Sequence, residues 1–352
     1  MRNKIYIIRA NKKNFGGAEI YLDRLAQELS NENISHTIIN SNIPKFFFSW
    51  IRAFLFNLKI CLSKKDKFYF SLDRITCPDI YRAGDGVHKK YIDITKQNSS
   101  KFLNLTYCII EKRAFKNAKH IIAISNMVKN DIIETYNIEA EKISVVYNGI
   151  NSNPFDYITS FNKLNYEFML YPTDKIILFI GSGYKRKGVE EFLTIISKIK
   201  HPNIKAFVIG KEKKLSYYQN FAQYLNISNK VIFTGPRSDV NDFYTIADIF
   251  LFPTFYEPFG NVILEAMNFK NVVITTRQCG GGELLQEEDL MQFPSDYTIV
   301  ERIEFLLNNP IEMQKTKEVY FVKSQSFTMQ KNAHKTIEII SKYYHNELVL
   351  AN

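Results

Sequence analysis

The sequence has only four cysteines, Cys61, Cys77, Cys108 and Cys279. Their spacing fits neither a zinc site nor a disulfide framework, which points to a reducing compartment. No apolar run reaches the roughly 18 residues of a membrane-spanning helix. The N-terminus reads as a strand rather than a signal peptide. There is no Asp-x-Asp pair to clamp a metal on a diphosphate, no His/Cys cluster that reads as zinc, and no Gly-x-Ser-x-Gly elbow. Internal repeats and low-complexity tracts are absent too.

What is present is ordinary in bulk and uneven in charge. Hydrophobic residues make up 45% and charged residues 23% of 352 positions, as in globular proteins with room for two cores. The net charge of +10 favours anionic partners: nucleotides, phosphorylated glycolipid, an anionic membrane or nucleic acid.

Short apolar strands alternate with helical patterns. Strands are expected near residues 4–8, 36–39, 68–72, 120–124 and 143–147, then 175–180, 206–209, 231–233, 249–252 and 272–275. Helical periodicity fills most gaps, for example 18–29, 127–136 and 189–199. This alternation predicts an α/β fold of parallel sheets covered by helices, arranged as two Rossmann-like doubly wound domains facing across a cleft. Residues 151–166 lack periodicity and read as the linker. The expected division is 1–160, 161–330, and a C-terminal helix over 331–352 that packs back on the first domain.

The most informative stretch runs from Glu257 through Pro258, Phe259, Gly260 and Asn261 to Glu265. Two carboxylates flank a turn that becomes a helix, with Asn261 as its candidate cap. Free amides at such a helix start can seat an anion or a hydroxyl-rich ligand, which suits a nucleotide-sugar. Gly181-Ser182-Gly183-Tyr184-Lys185-Arg186-Lys187-Gly188 follows the first strand of the second half. Its glycines and cations suit a diphosphate; the alternative is a solvated basic loop. Gly16-Gly17 opens the first helix, as an anion seat or as a plain turn. Asp85, between Gly84 and Gly86, is a candidate base or hydroxyl acceptor, with His88 near it, or else a turn residue. Gly280-Gly281-Gly282-Glu283 offers amides and a carboxylate, or a flexible loop. Between Lys45 and Lys65 a Phe-rich helix carries Lys45, Arg52 and Lys59 at seven-residue intervals. It reads as a domain helix with a basic edge or as a helix lying on an anionic bilayer.

Taken in this order, the motifs resemble the retaining glycosyltransferases of family 4, with the GT-B fold. The likeness runs from Gly16-Gly17 through Ala123-Ile124-Ser125, Asn148-Gly149-Ile150, Gly181, Arg186-Lys187-Gly188, Gly235-Pro236-Arg237, Asp239-Val240 and Ala247-Asp248 to the Glu257–Glu265 element. It is nearest to the bacterial lipopolysaccharide-core glucosyltransferases. The resemblance implies an N-terminal acceptor domain and a C-terminal donor domain. It implies that Arg186 and Lys187, with Gly16 and Gly17, hold the donor diphosphate, and that Glu257 and Asp85 serve the reacting centre. Phe259, Gly260 and Asn261 would contact the donor sugar, while Glu265 and Arg237 would contact ribose and base. The implied reaction moves a hexose from a nucleotide-diphosphate sugar, UDP-linked, to a lipopolysaccharide core or other lipid-linked glycan. It needs no metal or cofactor and no nucleic acid, and it would take place at the inner face of the bacterial cytoplasmic membrane. The alternatives are an epimerase or phosphorylase on the same fold, or a non-enzymatic anion or nucleic-acid binder.

Overall fold

A computed structural model describes residues 4–11, 17–96, 100–151 and 155–350. The chain forms two compact units, one of residues 1–149 with 329–352 and one of 150–328.

The first unit is built on a six-stranded parallel sheet: β1 (Ile5–Ile8), β2 (His36–Ile39), β3 (Phe68–Ser71), β4 (Ile80–Ala83), β5 (His120–Ala123) and β6 (Ile143–Val145), in the order β2-β1-β3-β4-β5-β6. The central strands β1, β3, β4 and β5 are short runs buried almost throughout, while the edge strands β2 and β6 are only partly buried, as a helix-covered parallel sheet allows. On one face the Gly17–Asn31 helix packs Leu22, Leu25 and Leu29 against Ile5, Ile7 and Phe68. The C-terminal helix Met329–Leu350 joins that same core through Ile337, Ile340 and Tyr344. On the other face Phe56 and Ile60 of the Ser49–Leu62 helix pack on Ile8 and Tyr69.

The second unit repeats the plan with β7 (Lys175–Ile180), β8 (Ile204–Ile209), β9 (Val231–Gly235), β10 (Ile249–Phe252), β11 (Val272–Thr276) and β12 (Leu290–Met291), in the order β12-β11-β10-β7-β8-β9. All its described pairings are parallel. Phe179, Phe192, Phe207, Phe243 and Phe252 fill its centre.

Four expectations need correcting. Residues 151–166 are not only linker. The Tyr157–Phe168 helix starts there, capped by the Asp156 carboxylate, which accepts from Ile158 N at 3.1 Å. It docks on the second unit through buried Leu164 and through Ser160, whose hydroxyl donates to Asp242 at 2.8 Å, so the boundary lies between Gly149 and Ile150 rather than after 160. Tyr81 and Arg82 sit in β4, a four-residue strand interrupted by an arginine and so missed by an apolar count. Cys61 and Cys77 form a disulfide, with Cα atoms 5.7 Å apart. Their separation of 16 carries no signature; the last turn of the Ser49–Leu62 helix simply meets the loop between β3 and β4. Arg52 does not share an outward stripe with Lys59: Lys59 is exposed, whereas Arg52 is half-buried and lines a cavity.

The docking of the last helix has a titratable pin. Tyr343 Oη lies 2.8 Å from His120 Nδ1, and the other ring nitrogen lies 2.8 Å from Ser144 Oγ. Burial pushes the His120 pKa from 6.5 down to about 4, helped by Lys342, Lys142 and Lys129. The unfolded chain takes up this proton near pH 6.5 and the folded chain only near 4. Stability is therefore fully present above that window and falls as pH drops through it. Denaturant titrations at a series of pH values should show the slope, and His120→Gln should flatten it.

Candidate active site

In the second unit β7 lies between β8 and β10, so the chain leaves β7 toward one side of the sheet and reaches β10 on the other. Ligands of open α/β sheets bind where the strand order reverses in this way, beyond the carboxyl ends of the strands. The two motifs with most chemistry come from these two ends. β7 ends at Ile180 and runs into Gly181 and the short turn of helix Tyr184–Lys187, while β10 ends at Phe252 and runs into the Glu257–Gly260 turn.

The motifs meet at one carboxylate. Arg186 Nη1 and Lys187 Nζ each donate to Glu257 Oε2 at 2.8 Å. Burial pushes the Glu257 pKa up, but Lys187 and Arg186 outweigh it and hold the carboxyl below its ordinary value. The scaffold around the cluster is tight. Arg186 Nη1 also donates to Tyr256 O at 2.8 Å, Phe255 N donates to Arg186 O at 3.0 Å, and the Lys187 ammonium lies 4.8 Å from the centroid of the Phe252 ring. Gly188 permits the approach of the two loops. Its φ is +76°, and a Cβ there would stand 1.8 Å from Pro253 O.

The turn after Glu257 is held from the back. Glu257 N donates to Gln278 O at 2.9 Å, Gly280 N to Glu257 O at 2.9 Å, and Gly281 N to Phe259 O at 2.7 Å. The amides of Gly280 and Gly281 therefore build this turn instead of offering themselves to a ligand, and the glycines are buried in a 3-10 turn, not a flexible loop. Gly260, at φ +80°, occupies the cap position of the Asn261–Asn268 helix, and Asn261 is its first residue, not its cap. Phe259 is buried. Two turns on, Glu265 accepts from Tyr244 Oη at 3.0 Å. Burial raises the pKa of Glu265, against the pull of Tyr244 and Lys187.

Arg237, beyond the edge strand β9, is already engaged. Its guanidinium donates to both oxygens of Asp239 and of Glu167, at 2.7–2.8 Å, and lies 5.3 Å from the Phe243 ring centroid. Asp239 is pulled down in pKa chiefly by that arginine, and Arg237 is raised in return. Here the structure gives Arg237 a bracing role between β9 and the Tyr157–Phe168 helix.

In the first unit Asp85 follows β4 with its carboxylate 57% exposed and 3.4 Å from Arg74 Nη1. His88 opens the next helix; burial first and Arg74 second hold its pKa below the ordinary value. Gly17 begins the first helix, and Gly16 lies outside the described residues. Sequence reasoning missed Glu111. It is fully buried and accepts from Arg74 Nε at 2.8 Å, from His88 N at 2.9 Å and from Tyr136 Oη at 2.8 Å. A glutamate inside the Lys101–Asn117 helix, next to Lys112 and Arg113, reads locally as surface charge. Among the described residues no group of three His, Cys, Asp or Glu side chains could hold a metal ion.

The glycine that lets the two loops meet can be tested. Gly188→Ala should destabilise the protein by about 2 kcal/mol or more, through the left-handed backbone and the clash with Pro253 O. The shift of the denaturant midpoint against wild type measures it.

Residues 163–320 match the family described as Glycosyl transferases group 1, and residues 87–153 match Glycosyltransferase Family 4. The capsular polysaccharide biosynthesis glycosyltransferase CapM of Staphylococcus aureus is 32% identical over 57% of this chain and 55% of its own length. The lipopolysaccharide glucosyltransferase WaaG of Escherichia coli is 25% identical over 57% of this chain and 56% of its own length. The chain thus spans little more than half the length of these curated relatives. Folds agree further than sequences. The crystal structure of WaaG, a glycosyltransferase involved in lipopolysaccharide biosynthesis, superposes with a TM-score of 0.79 at 18% identity, over 96% of this chain and 99% of that one. Anabaena HepE, solved with UDP and glucose, superposes with a TM-score of 0.72 at 18% identity, over 96% and 99% of the two chains. With its two six-stranded parallel sheets and these superpositions the chain has the GT-B fold, and its second and first units carry the matches to the group 1 and family 4 glycosyltransferase models.

Proposed function

We propose that the protein transfers a hexose from a nucleotide-diphosphate sugar, UDP-linked, to a lipopolysaccharide-core or other lipid-linked glycan, with retention at the anomeric carbon. The observation that carries this reading is the pair of cations, Arg186 and Lys187, converging on Glu257 where β7 and β10 end. The names of CapM, WaaG and HepE support the polysaccharide setting and the UDP donor.

The chemistry follows from charge. Breaking the bond between the anomeric carbon and the diphosphate oxygen leaves positive charge on the sugar and negative charge on the phosphate. Arg186 and Lys187, fixed in place, stabilise the departing diphosphate without a metal or cofactor. The acceptor hydroxyl forms its new bond to the anomeric carbon on the face the nucleotide leaves, and its proton passes to the leaving phosphate oxygen. Glu257 orients the two cations and stabilises charge on the sugar. Phe259, Gly260 and Asn261 form the turn beside the donor sugar. Glu265, held by Tyr244 Oη, takes the ribose hydroxyls. Asp85 accepts a hydroxyl of the acceptor.

Membrane contact at the cytoplasmic face belongs to the same proposal. No helix among the described residues is long and apolar enough to cross a membrane. The Ser49–Leu62 and Lys101–Asn117 helices nevertheless expose Phe54, Leu58, Leu62, Phe102, Leu105 and Ile109, and Phe46 and Phe48, just before the first of them, are 80% and 74% exposed. Trp50 and Phe102 bring the two helices together, with ring centroids 6.1 Å apart. Exposed Lys59, Lys101, Lys112 and Arg113 on the same helices suit an anionic bilayer.

Purified protein should be stabilised thermally by one class of nucleotide-diphosphate sugar and should transfer its hexose to a glycolipid acceptor. Glu257→Gln, which keeps an acceptor oxygen for both cations, should lower turnover by about a hundredfold or more while the protein stays folded. Full activity in that variant would end the reading. For the membrane, Phe54→Asp with Phe102→Asp should release the protein from phosphatidylglycerol vesicles in flotation. Unchanged flotation would leave both helices as ordinary domain surface.

A further inference from the structure

The first sheet has its own point of reversal, between β1 and β3, and a cavity of about 350 Å³ opens there. Its volume is at the lower end of the range for small-molecule sites. Its wall carries three arginines and two aspartates: Arg9, Asp73, Arg74 and Asp85 from the strand ends, and Arg52 from the Ser49–Leu62 helix. Two of the arginines are neutralised. Arg9 lies 2.8 Å from Glu19 and 3.4 Å from Asp73, and Arg74 lies 2.8 Å from Glu111 and 3.4 Å from Asp85. Arg52 has no carboxylate within ion-pair distance among the described residues.

An arginine that merely snorkels from an apolar helix to water keeps its guanidinium solvated. The Nε of Arg52 argues against this. That atom is buried and has no acceptor among the described residues, and the same holds for Nε of Arg9 across the same wall. Buried donors without acceptors are costly and uncommon, and an oxyanion is the acceptor a guanidinium fork fits best. Asp73 and Asp85 would meanwhile accept hydroxyls, which gives the cavity both halves of an acid-bearing sugar to recognise.

We propose that this cavity binds a saccharide carrying an oxyanion, a phosphate or carboxylate, and that Arg52 grips that group. The proposal rests on the transferase reading and names the substrate class for its acceptor. It sets Arg52 apart from the neighbouring membrane-facing side chains, since the same helix turns Phe54 and Leu58 outward and Arg52 to the cavity.

The test is calorimetric titration of the full chain with glucose 6-phosphate, glucuronic acid and neutral glucose, in saturating UDP so that Arg186 and Lys187 are occupied. A parallel arm measures binding to phosphatidylcholine vesicles with and without polyprenyl phosphate, which separates a lipid-borne phosphate from a sugar-borne one. Binding of an acid probe in either arm, weakened about tenfold or more by Arg52→Gln and partly kept by Arg52→Lys, is the expected result. Equal binding of neutral glucose, no acid binding in either arm, or an unchanged affinity in Arg52→Gln would each overturn the proposal. Thermal stabilisation by nucleotide-sugars is read on both proteins. Its loss from wild type would fail the transferase reading, whereas its survival in Arg52→Gln beside lost acid binding isolates the acceptor site.

Discussion

The second unit depends on one arrangement of charge: two cations and one carboxylate drawn out of water at the ends of two neighbouring strands. Arg186 and Lys187 share the Glu257 oxygen, and each of the three is mostly buried. A buried charge without its partner is far more costly than the assembled group. The loops after β7 and β10 are therefore held together electrostatically, and Gly188 removes the side chain that would keep them apart. The same arrangement prepares the site for an anion. On the proposed function, a diphosphate entering there would meet cations already fixed in direction, so little reorganisation would accompany the charge that develops.

The first unit uses the same physics with different geometry. Glu111, wholly buried, gathers Arg74, the His88 amide and the Tyr136 hydroxyl, and Arg74 in turn reaches Asp85. Asp73, pushed up by burial and pulled back by Arg9, joins the cluster at the end of β3. This network sets the shape of a polar cavity at the reversal of the sheet. In both units charged side chains thus gather where the strand order reverses, each held by the strands that end there.

Local pattern carried much of the architecture. The apolar runs at β1, β3, β5, β7, β8, β10 and β11 were legible because strands buried on both faces are nearly continuous in Ile, Val and Phe, and β2 and β9, only partly buried, were legible from their β-branched residues. β4 and β12 were not: one contains Arg82, and the other has only two residues. The Glu257 turn was legible from its Pro, Gly and flanking carboxylates, yet the cap fell one residue earlier than Asn261, because a left-handed cap favours glycine. The Tyr157–Phe168 helix was hidden because it exposes Ile158 and Tyr166 and buries Ser160, which scrambles the apolar period.

The sequence by itself determined the α/β class, the two-unit plan and the identity of the residues that meet as Arg186, Lys187 and Glu257, since these depend on local periodicity and on motifs a few residues long. Only the tertiary structure decided that Cys61 faces Cys77, that Arg52 turns inward while Phe54 turns outward, that Arg237 is spent on Glu167 and Asp239, and that the last helix returns to His120. Each of these joins positions whose contact depends on how strands and helices stack. Burial and pairing at such distances are properties of the packed chain, and no short window of residues encodes them.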